Sequence, residues 1–197
     1  MRSSGFYLAL NGLTFAYVGG EYTGNYLEGM VFFTIGRSEI RKGVDMSDEE
    51  MRDRVIQLAF GGNPQSFEQF CDVLRAELPE NTGAVLRGSS ITGVRWNDGA
   101  PFDSDGPRTS DLDLTLIGNE VIALFKPEGF YIPLIHTKPL GDKDPDIAPD
   151  LEPLRKKLQS MVGRPVNIQA TRDFVRYVRE VLLGEPHLQL IEIAGSL

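Results

Sequence analysis

The sequence predicts an α+β fold in which a mixed β-sheet is flanked by helices and preceded by a small N-terminal antiparallel β extension. Three observations lead to this prediction. Residues 6–36 consist of short apolar and aromatic runs separated by Gly-containing turns, and residues 47–78 place apolar side chains at helical spacing. From residue 84 onward, short apolar runs alternate with helical patterns. We therefore expect a β-rich extension over residues 1–45 and a main domain over residues 46–197.

Composition limits the partners and the compartment that can be expected. The chain has 197 residues, of which 41% are hydrophobic, enough to form a core. Its net charge of −8 disfavours broad binding to nucleic acid, which requires Lys and Arg, but not binding of one nucleotide through a metal. Cys71 is the single cysteine, so no disulfide can form within the chain and we expect the protein in a reducing compartment. We expect the Cys71 side chain to be buried. No apolar run approaches the roughly 20 residues of a membrane span. We expect a cytoplasmic protein without a membrane partner.

The first 45 residues have the pattern of short strands. Residues 6–10 and 13–18 flank Asn11-Gly12, a dipeptide typical of two-residue hairpin turns. Residues 27–35 are rich in aromatic and β-branched side chains and predict a further strand. The pattern fits a recognition or oligomerisation module as well as a β extension packed on the main domain.

Two helices are predicted after this extension. Ser47 followed by Glu50 is a capping-box pattern ahead of apolar residues at helical spacing, and the Gly-Gly-Asn-Pro run at 61–64 ends that helix. Ser66 is the expected N-cap of the second helix, which Pro79 ends.

Residues 84–117 contain the side chains that point to a chemical function. An apolar strand pattern runs into a Gly-Ser-Ser turn at 88–90, and such a turn offers backbone N–H groups and hydroxyls to phosphate oxygens. A second strand pattern contains Asp111 and Asp113, which point to the same face because strand side chains alternate. Two carboxylates at this spacing repel each other unless a cation lies between them. A hard divalent ion, Mg²⁺ above all, is the usual solution.

These motifs resemble the DNA-polymerase-β-type nucleotidyltransferase superfamily, especially its small bacterial members. The likeness lies in the order strand, Gly-Ser, loop and Asp-x-Asp on a strand, and Ser-Asp-Leu-Asp-Leu at 110–114 is its most similar segment. The likeness extends over roughly residues 65–183. It implies a metal-dependent enzyme that transfers a nucleoside monophosphate, with AMP as the expected group, from a nucleoside triphosphate to a protein, RNA or small-molecule acceptor. The residues that it implies are Asp111 and Asp113 for catalysis and for Mg²⁺ (or Mn²⁺), and Gly88, Ser89, Ser90 and Arg108 for the nucleotide.

The sequence departs from the family pattern at two places. Between Ser89 and Asp111 lie 21 residues, about twice the usual length. The family supplies a third carboxylate from a later helix–strand–helix segment, and the matching residue here is Asn167. An amide can coordinate through its carbonyl oxygen, but it cannot act as an anionic ligand or a general base. Glu192, in a predicted final strand, is a substitute. The resemblance therefore implies Asn167 as the third catalytic position and leaves three possibilities open: an active transferase, a catalytically impaired nucleotide-binding or regulatory protein, and a simple interaction protein.

The long loop at 91–109 is turn-rich and polar. A loop of this length between two motif strands is typically functional or mobile, so we expect it beside the site as a lid or substrate selector. Trp96 either stacks on a base or anchors the loop to the body. The arginines that could contact a triphosphate are Arg87, Arg95 and Arg108. Arg108 is the best candidate because it lies just before the aspartate pair, and its alternative is an ion pair with Asp103 or Asp105.

The remainder of the chain predicts two further strands, at 121–125 and 130–135, and a charged, mobile loop at 138–150. A helix at 150–162 with Asp150 as its cap, a strand at 165–170 and a helix capped by Thr171 follow. His136 and His187 are expected to be structural, because the chemistry implied above needs no histidine.

Overall fold

A six-stranded mixed β-sheet organises the larger part of this protein. The structure, a computed structural model, describes residues 6–10, 13–17, 46–180 and 185–192. The chain divides into two units, Met1–Glu39 and Ile40–Leu197. The second unit combines the sheet with several helices, so the predicted α+β class and mixed sheet are confirmed.

The first unit contains a β-hairpin. Strands β1 (Phe6–Leu10) and β2 (Leu13–Tyr17) pair antiparallel, with Leu10 opposite Leu13, in the position that the Asn-Gly dipeptide predicts. The strand predicted at 27–35 lies outside the described residues.

The sheet of the second unit is built around two parallel strands. Its members are β3 (Gly83–Arg87), β4 (Leu112–Ile117), β5 (Phe130–Ile132), β6 (His136–Thr137), β7 (Val166–Thr171) and β8 (Leu188–Ile191). Their order across the sheet is β5-β6-β7-β4-β3-β8. Strands β4 and β7 are parallel and central, and the other neighbours pair antiparallel.

Within the described residues, six α-helical segments accompany the sheet, and two short 3-10 turns lie at Pro127–Gly129 and Pro145–Ile147. The α-helical segments are α1 (Asp48–Ala59), α2 (Pro64–Glu77), α3 (Ser89–Thr92), α4 (Asn119–Ile122), α5 (Glu152–Val162) and α6 (Phe174–Glu180). The capping box of Ser47 and Glu50 is present at the start of α1, as predicted. Within the described ranges, no helix has the length and apolar character that crossing a bilayer requires.

The two faces of the sheet differ in character because side chains alternate along each strand. One face is apolar and packs against α1, α2 and α5. It contributes Leu112, Leu114, Leu116, Val166, Ile168 and Ala170, all fully buried. The opposite face, called the polar face below, contributes Asp113, Thr115, Asn167, Gln169 and Arg87. Tyr177 of α6 contacts this face through a 2.8 Å hydrogen bond to Thr115. The polar and charged side chains of the central strands therefore lie on the face of the sheet that is turned away from the apolar core.

Three predicted boundaries are wrong because local apolar runs and polar residues fit more than one structure. Residues 119–122 form a helix, which replaces the start of the strand predicted at 121–125. Val121, Ile122 and Phe125 are buried at helical spacing, and a short apolar run does not distinguish strand from helix. Helix α5 begins after Leu151 without a side-chain cap. Thr171 ends β7 and donates its hydroxyl to the Ile135 carbonyl, so it does not cap α6.

Helix α2 also begins earlier than predicted. Its N-cap is Asn63 and not Ser66, and the Asn63 side chain accepts hydrogen bonds from the N–H groups of Gln65 and Ser66 at 3.0 and 3.2 Å. Pro64 occupies the first turn, where its fixed φ suits a helix and its missing N–H costs nothing. Cys71 on this helix is buried as expected, and burial raises the pKa of its thiol to about 11.

The segment 138–150, predicted to be mobile, is anchored to β7 and α5. Leu140 is buried and exchanges two backbone hydrogen bonds with Ile168, at 2.8 and 3.0 Å. Asp142 accepts hydrogen bonds from Arg155 at 2.8 Å and from Lys156 at 2.6 Å. The hydrogen bonds from Lys156 and Arg155 lower the pKa of Asp142 to about 2. These contacts hold the backbone next to Asn167 in place.

Candidate functional site

Asp111, Asp113 and Asn167 lie together at the amino-terminal ends of β4 and β7. The two strands are parallel and in a register that puts Asp113 opposite Asn167. The Asn167 amide donates hydrogen bonds to Asp111 at 2.5 Å and to Asp113 at 3.3 Å. All three side chains are half-buried. The structure therefore brings together the three residues that the sequence predicted as the catalytic set.

The two carboxylates of this group are in an electrostatically strained position. Burial, followed by repulsion from Asp113, raises the pKa of Asp111 above its ordinary value. Both effects disfavour the charged form of a carboxyl group. The N–H groups of Asn167 oppose them by donating to both carboxylates. A cation placed between the aspartates would relieve the same strain.

Arg87 is the positively charged neighbour of the aspartate pair. It lies opposite Asp113 in the antiparallel pairing of β3 and β4, and its guanidinium is 3.7 Å from the Asp113 carboxylate. Its Nε donates to Thr115 at 3.3 Å, and a further N–H donates to Gln169. The Thr115 hydroxyl is in turn hydrogen-bonded to Tyr177. Arg87, predicted only as a phosphate contact, therefore neutralises part of the Asp113 charge and ties it to the polar face.

Gly88 brings the backbone close to Asp113. A Cβ placed on Gly88 would lie 3.0 Å from the Asp113 Oδ2 atom. Ser89 is half-buried and starts α3, and the first N–H groups of a helix have no partner within it. Ser90 is buried, and its hydroxyl donates to the Arg87 carbonyl at 3.4 Å. Gly88 therefore borders the carboxylate group and Ser89 follows it, whereas Ser90 is buried with its hydroxyl turned to the backbone of Arg87; the nucleotide contacts of all three residues stay predictions.

Replacing Gly88 by alanine is expected to destabilise the protein by about 2–3 kcal/mol. Gly88 has φ 78° and ψ −153°, a region that is essentially restricted to glycine, and the new methyl group would press on Asp113. Gly61→Ala is the matched control, because Gly61 has φ +63° with nothing within 4 Å of a Cβ. It is expected to cost only about 1 kcal/mol. Urea unfolding measures both, and equal losses would contradict the crowding at Asp113.

The second half of the long loop is fixed to the body of the protein by Arg164. Both oxygens of Asp103 accept hydrogen bonds from this guanidinium at 3.0 Å, and the Ser110 carbonyl accepts another at 3.0 Å. Arg164 also donates to the Leu58 carbonyl at 3.2 Å and lies over the Phe102 ring at 4.6 Å. These contacts hold this half of the loop against the body of the protein, and the role of the loop as a lid or substrate selector stays a prediction. The sequence could not indicate the pairing, because Asp103 and Arg164 are 61 residues apart.

The other loop residues singled out in the sequence are placed as follows. Trp96 is 45% exposed, between the bridged residues Val94 and Pro101. Arg95 pairs with Asp98 and Asp105. Arg108 is exposed, and its guanidinium lies against the backbone of Gly163, where an added Cβ would be 2.8 Å from the Nη1 atom.

The alternative predicted for Arg108, an ion pair with Asp103 or Asp105, is not formed. Asp103 accepts the backbone N–H of Arg108 at 3.0 Å, while its ion pair is with Arg164. Asp105 pairs with Arg95. The guanidinium of Arg108 is therefore left exposed shortly before Asp111, where an anionic ligand could reach it.

Glu192 is not a substitute for the third carboxylate. It follows β8, in which Ile191 lies opposite Ala84 of β3. Arg87, at the other end of β3, is the residue opposite Asp113. Glu192 is thus at the far end of the sheet from the aspartate pair and beyond the intervening strand.

His136 is a buried structural residue on β6. It is 5% exposed, its ring lies between those of Tyr131 and Tyr177 at 6.3 and 5.1 Å, and its Nδ1 has no hydrogen-bond partner among the described residues. Burial, followed by the positive charge of Arg87, lowers the pKa of His136 to about 4. His187 packs its ring edge-on to Phe174 and is also structural.

The lowered pKa of His136 predicts that stability falls as the solution becomes acidic. In the unfolded chain the imidazole takes up a proton below about pH 6.5, whereas in the folded protein it does so only below about pH 4. The contribution of the neutral His136 side chain to the free energy of unfolding is therefore complete above pH 6.5. It is lost as the pH falls to 4, and the loss is up to about 3 kcal/mol. Urea unfolding between pH 7 and pH 4 measures it. His136→Phe should flatten this dependence and His187→Phe should retain it; an unchanged slope in His136→Phe would contradict the assignment.

A cavity of about 670 Å³ lies at the opposite end of the polar face from the aspartate pair. It is lined by Ile117, Ile135, Arg172, Asp173, Phe174, Val175 and Gln189. Ile117 is the last residue of β4, whereas Asp111 precedes its first. None of the site residues predicted from the sequence lines this cavity, so it is separate from the carboxylate group.

The donor set at the aspartate pair fits a hard divalent cation. Asp111 and Asp113 offer carboxylate oxygens side by side, and Asn167 adds an amide oxygen if its side chain turns over. The Asn167 oxygen now faces Gly141, where an added Cβ would lie only 2.6 Å away. Within the part of the chain that the structure describes, no group of three or more His, Cys, Asp or Glu forms a metal site. The third donor is therefore an amide, which suits Mg²⁺ or Mn²⁺ in oxygen type but lowers the ligand charge.

Comparisons of this chain with protein-family models, with curated proteins and with solved structures find no match.

Proposed function

We propose that this protein is a metal-dependent nucleotidyltransferase of the DNA-polymerase-β type, which transfers AMP from ATP to a protein, RNA or small-molecule acceptor. The observation that carries the proposal is the grouping of Asp113 on β4, and of Asp111 just before that strand, with Asn167 on the parallel strand β7. Gly88, whose backbone approaches Asp113, supports it, because the same turn offers N–H groups for phosphate oxygens.

Each residue of the group has a distinct role in this proposal. Asp111 and Asp113 hold Mg²⁺ (or Mn²⁺) through their oxygens. Gly88 and Ser89 bind the outer phosphates through backbone N–H groups and the Ser89 hydroxyl, and the exposed Arg108 is available to the same phosphates. When bound, the metal neutralises the charge that develops on the α-phosphate and on the pyrophosphate leaving group.

The transfer makes one bond and breaks one bond. An oxygen of the acceptor attacks the α-phosphorus, and the bond from this phosphorus to the oxygen that it shares with the β-phosphate breaks, so that pyrophosphate leaves. Asn167 has no basic atom to remove the proton of an acceptor hydroxyl, so this proton passes to solvent water. Before the metal binds, its amide holds the two carboxylates through the two hydrogen bonds that it donates.

Labelled nucleotides test the proposal most simply. The full chain is incubated with Mg²⁺ or Mn²⁺ and ATP labelled on the α-phosphate, alone and with cell lysate, and ATP labelled on the γ-phosphate is the matched control. We expect label from the α-position, but not from the γ-position, on the protein itself or on an acceptor, together with release of pyrophosphate. The absence of α-label in every condition would refute the transferase assignment.

The place of Asn167 also favours a second candidate, a nucleotide-binding or regulatory protein of the same fold that has lost turnover. An amide occupies the position where the resembled enzymes carry their third acid, and it donates to both remaining carboxylates. Calorimetric titration with Mg²⁺-ATP, combined with a pyrophosphate assay, separates the two candidates. Binding without pyrophosphate release would favour the second candidate.

A further inference from the structure

The Asn167 amide determines how the site takes up its metal. We propose that the site has little affinity for a free divalent cation and binds one together with the triphosphate. This inference rests on the proposed function, because it concerns the same site, and it specifies the order in which the ligands of that site can bind.

The first step of the argument is that the amide already does part of what a cation would do. Its Nδ2 group donates to Asp111 and to Asp113, so the partial positive charge of the N–H groups lies between the two carboxylates. A cation that enters this position must displace both hydrogen bonds. The carboxylates lose these partners on binding the metal, and the net gain is smaller than at a pair without such a donor.

The second step concerns the total charge of the donor set. Asp111 and Asp113 supply two negative charges, and Arg87, 3.7 Å from Asp113, supplies one positive charge. Asn167 adds none, although it stands where a third carboxylate would add one more negative charge. The affinity of protein sites for divalent cations depends on the number of charged ligands and on the rigidity of the site. The oxygens of a triphosphate bring the charge that the protein lacks.

The third step is that the amide is held in its present orientation. Its oxygen lies against the backbone of Gly141, where an added Cβ would be 2.6 Å away. The neighbouring residue Leu140 is fixed by its two hydrogen bonds to Ile168, and Asp142 on the other side is fixed by Arg155. The amide oxygen therefore becomes a metal ligand only by a turn of the side chain, which a free ion must induce without help from a nucleotide.

Binding of Mn²⁺, followed by the loss of its free-ion signal in electron paramagnetic resonance, tests this inference without any turnover. In the unmodified full chain we expect binding to be at least about tenfold tighter when a non-hydrolysable ATP analogue is present, after correction for Mn²⁺ bound by the analogue alone. In Asn167→Asp we expect binding without nucleotide to be about ten- to hundredfold tighter than in the unmodified chain. The same variant should melt at a higher temperature when Mn²⁺ is added.

Gln189→Glu is the matched charge control. It makes the same amide-to-carboxylate change at an exposed residue of β8 that lines the separate cavity and lies two strands away from β4. It is expected to leave Mn²⁺ binding unchanged. An equal gain in Gln189→Glu would overturn the inference, because a general charge effect would then explain the result. A folded Asn167→Asp protein with unchanged affinity would overturn it as well.

The comparison within the unmodified chain does not depend on any variant folding. Binding of Mn²⁺ that is as tight without the analogue as with it would overturn the inference and leave the proposed transferase in place. Binding in neither condition would overturn the proposed function and this inference with it. The two failures therefore give different results in the same titration.

Discussion

Replacing Asp113 by asparagine is expected to reduce nucleotide transfer by about 10³-fold or more while the protein stays folded. The substitution keeps the shape of the side chain but removes a charged metal ligand and the partner of Arg87. Asp111→Asn should behave in the same way, and relief of the repulsion that raises the pKa of Asp111 should offset part of the lost hydrogen bonding. The α-label assay measures transfer, and circular dichroism melting measures the fold.

Asp53→Asn is the control for the loss of one negative charge. Asp53 is exposed on α1, away from the polar face, and its replacement is expected to leave transfer unchanged. Asp113→Asn activity within tenfold of the unmodified chain would show that this carboxylate does not hold the metal. If Asp111→Asn and Asp113→Asn both kept activity within tenfold of the unmodified chain, a catalytic metal site at the aspartate pair would be excluded.

Removing the Arg164 side chain is expected to give the largest loss of stability among the substitutions considered, about 2–4 kcal/mol. Arg164 is almost fully buried and binds Asp103 through two hydrogen bonds, while also donating to the carbonyls of Ser110 and Leu58. Arg164→Ala leaves the Asp103 charge without its ion-pair partner and the two carbonyls without this donor, and it removes the guanidinium that packs on Phe102. Urea unfolding measures the loss.

The matched control is Arg75→Ala on the surface of α2. Arg75 pairs with Asp72 three residues away, and both side chains are largely exposed, so the expected change is within about 0.5 kcal/mol. If Arg164→Ala were no more destabilising than Arg75→Ala, the long loop would not be anchored in the way described.

The parts of the fold that the sequence predicts correctly are those encoded by neighbouring residues. The capping box of Ser47 and Glu50 is a contact across three positions, and the structure contains it. The common orientation of Asp111 and Asp113 follows from the alternation of side chains along one strand. The position of Asn167 beside the aspartates is implied by the family resemblance, and the register of β4 and β7 sets it opposite Asp113.

The features that the sequence does not predict depend on contacts between distant segments. The pairing of Arg87 with Asp113 needs the antiparallel register of β3 and β4. Gly141 reaches Asn167 only because Leu140 bridges to β7. The pattern at 121–125 predicts a strand where the structure has a helix over residues 119–122, because this apolar run is too short to show a helical period. The local sequence does not indicate which distant residue contacts Arg87 or Gly141, nor which packing selects the helix at 119–122.

Calorimetric titration of the full chain with Mg²⁺-ATP tests the central claim most directly, since the claim is that the aspartate pair and the Gly88 turn form one nucleotide site. The predicted result is binding to a single site that disappears in Asp113→Asn and remains in Asp53→Asn. No binding up to millimolar nucleotide, or binding that Asp113→Asn leaves unchanged, would contradict the claim. It would make the aspartates a feature of an α+β interaction protein.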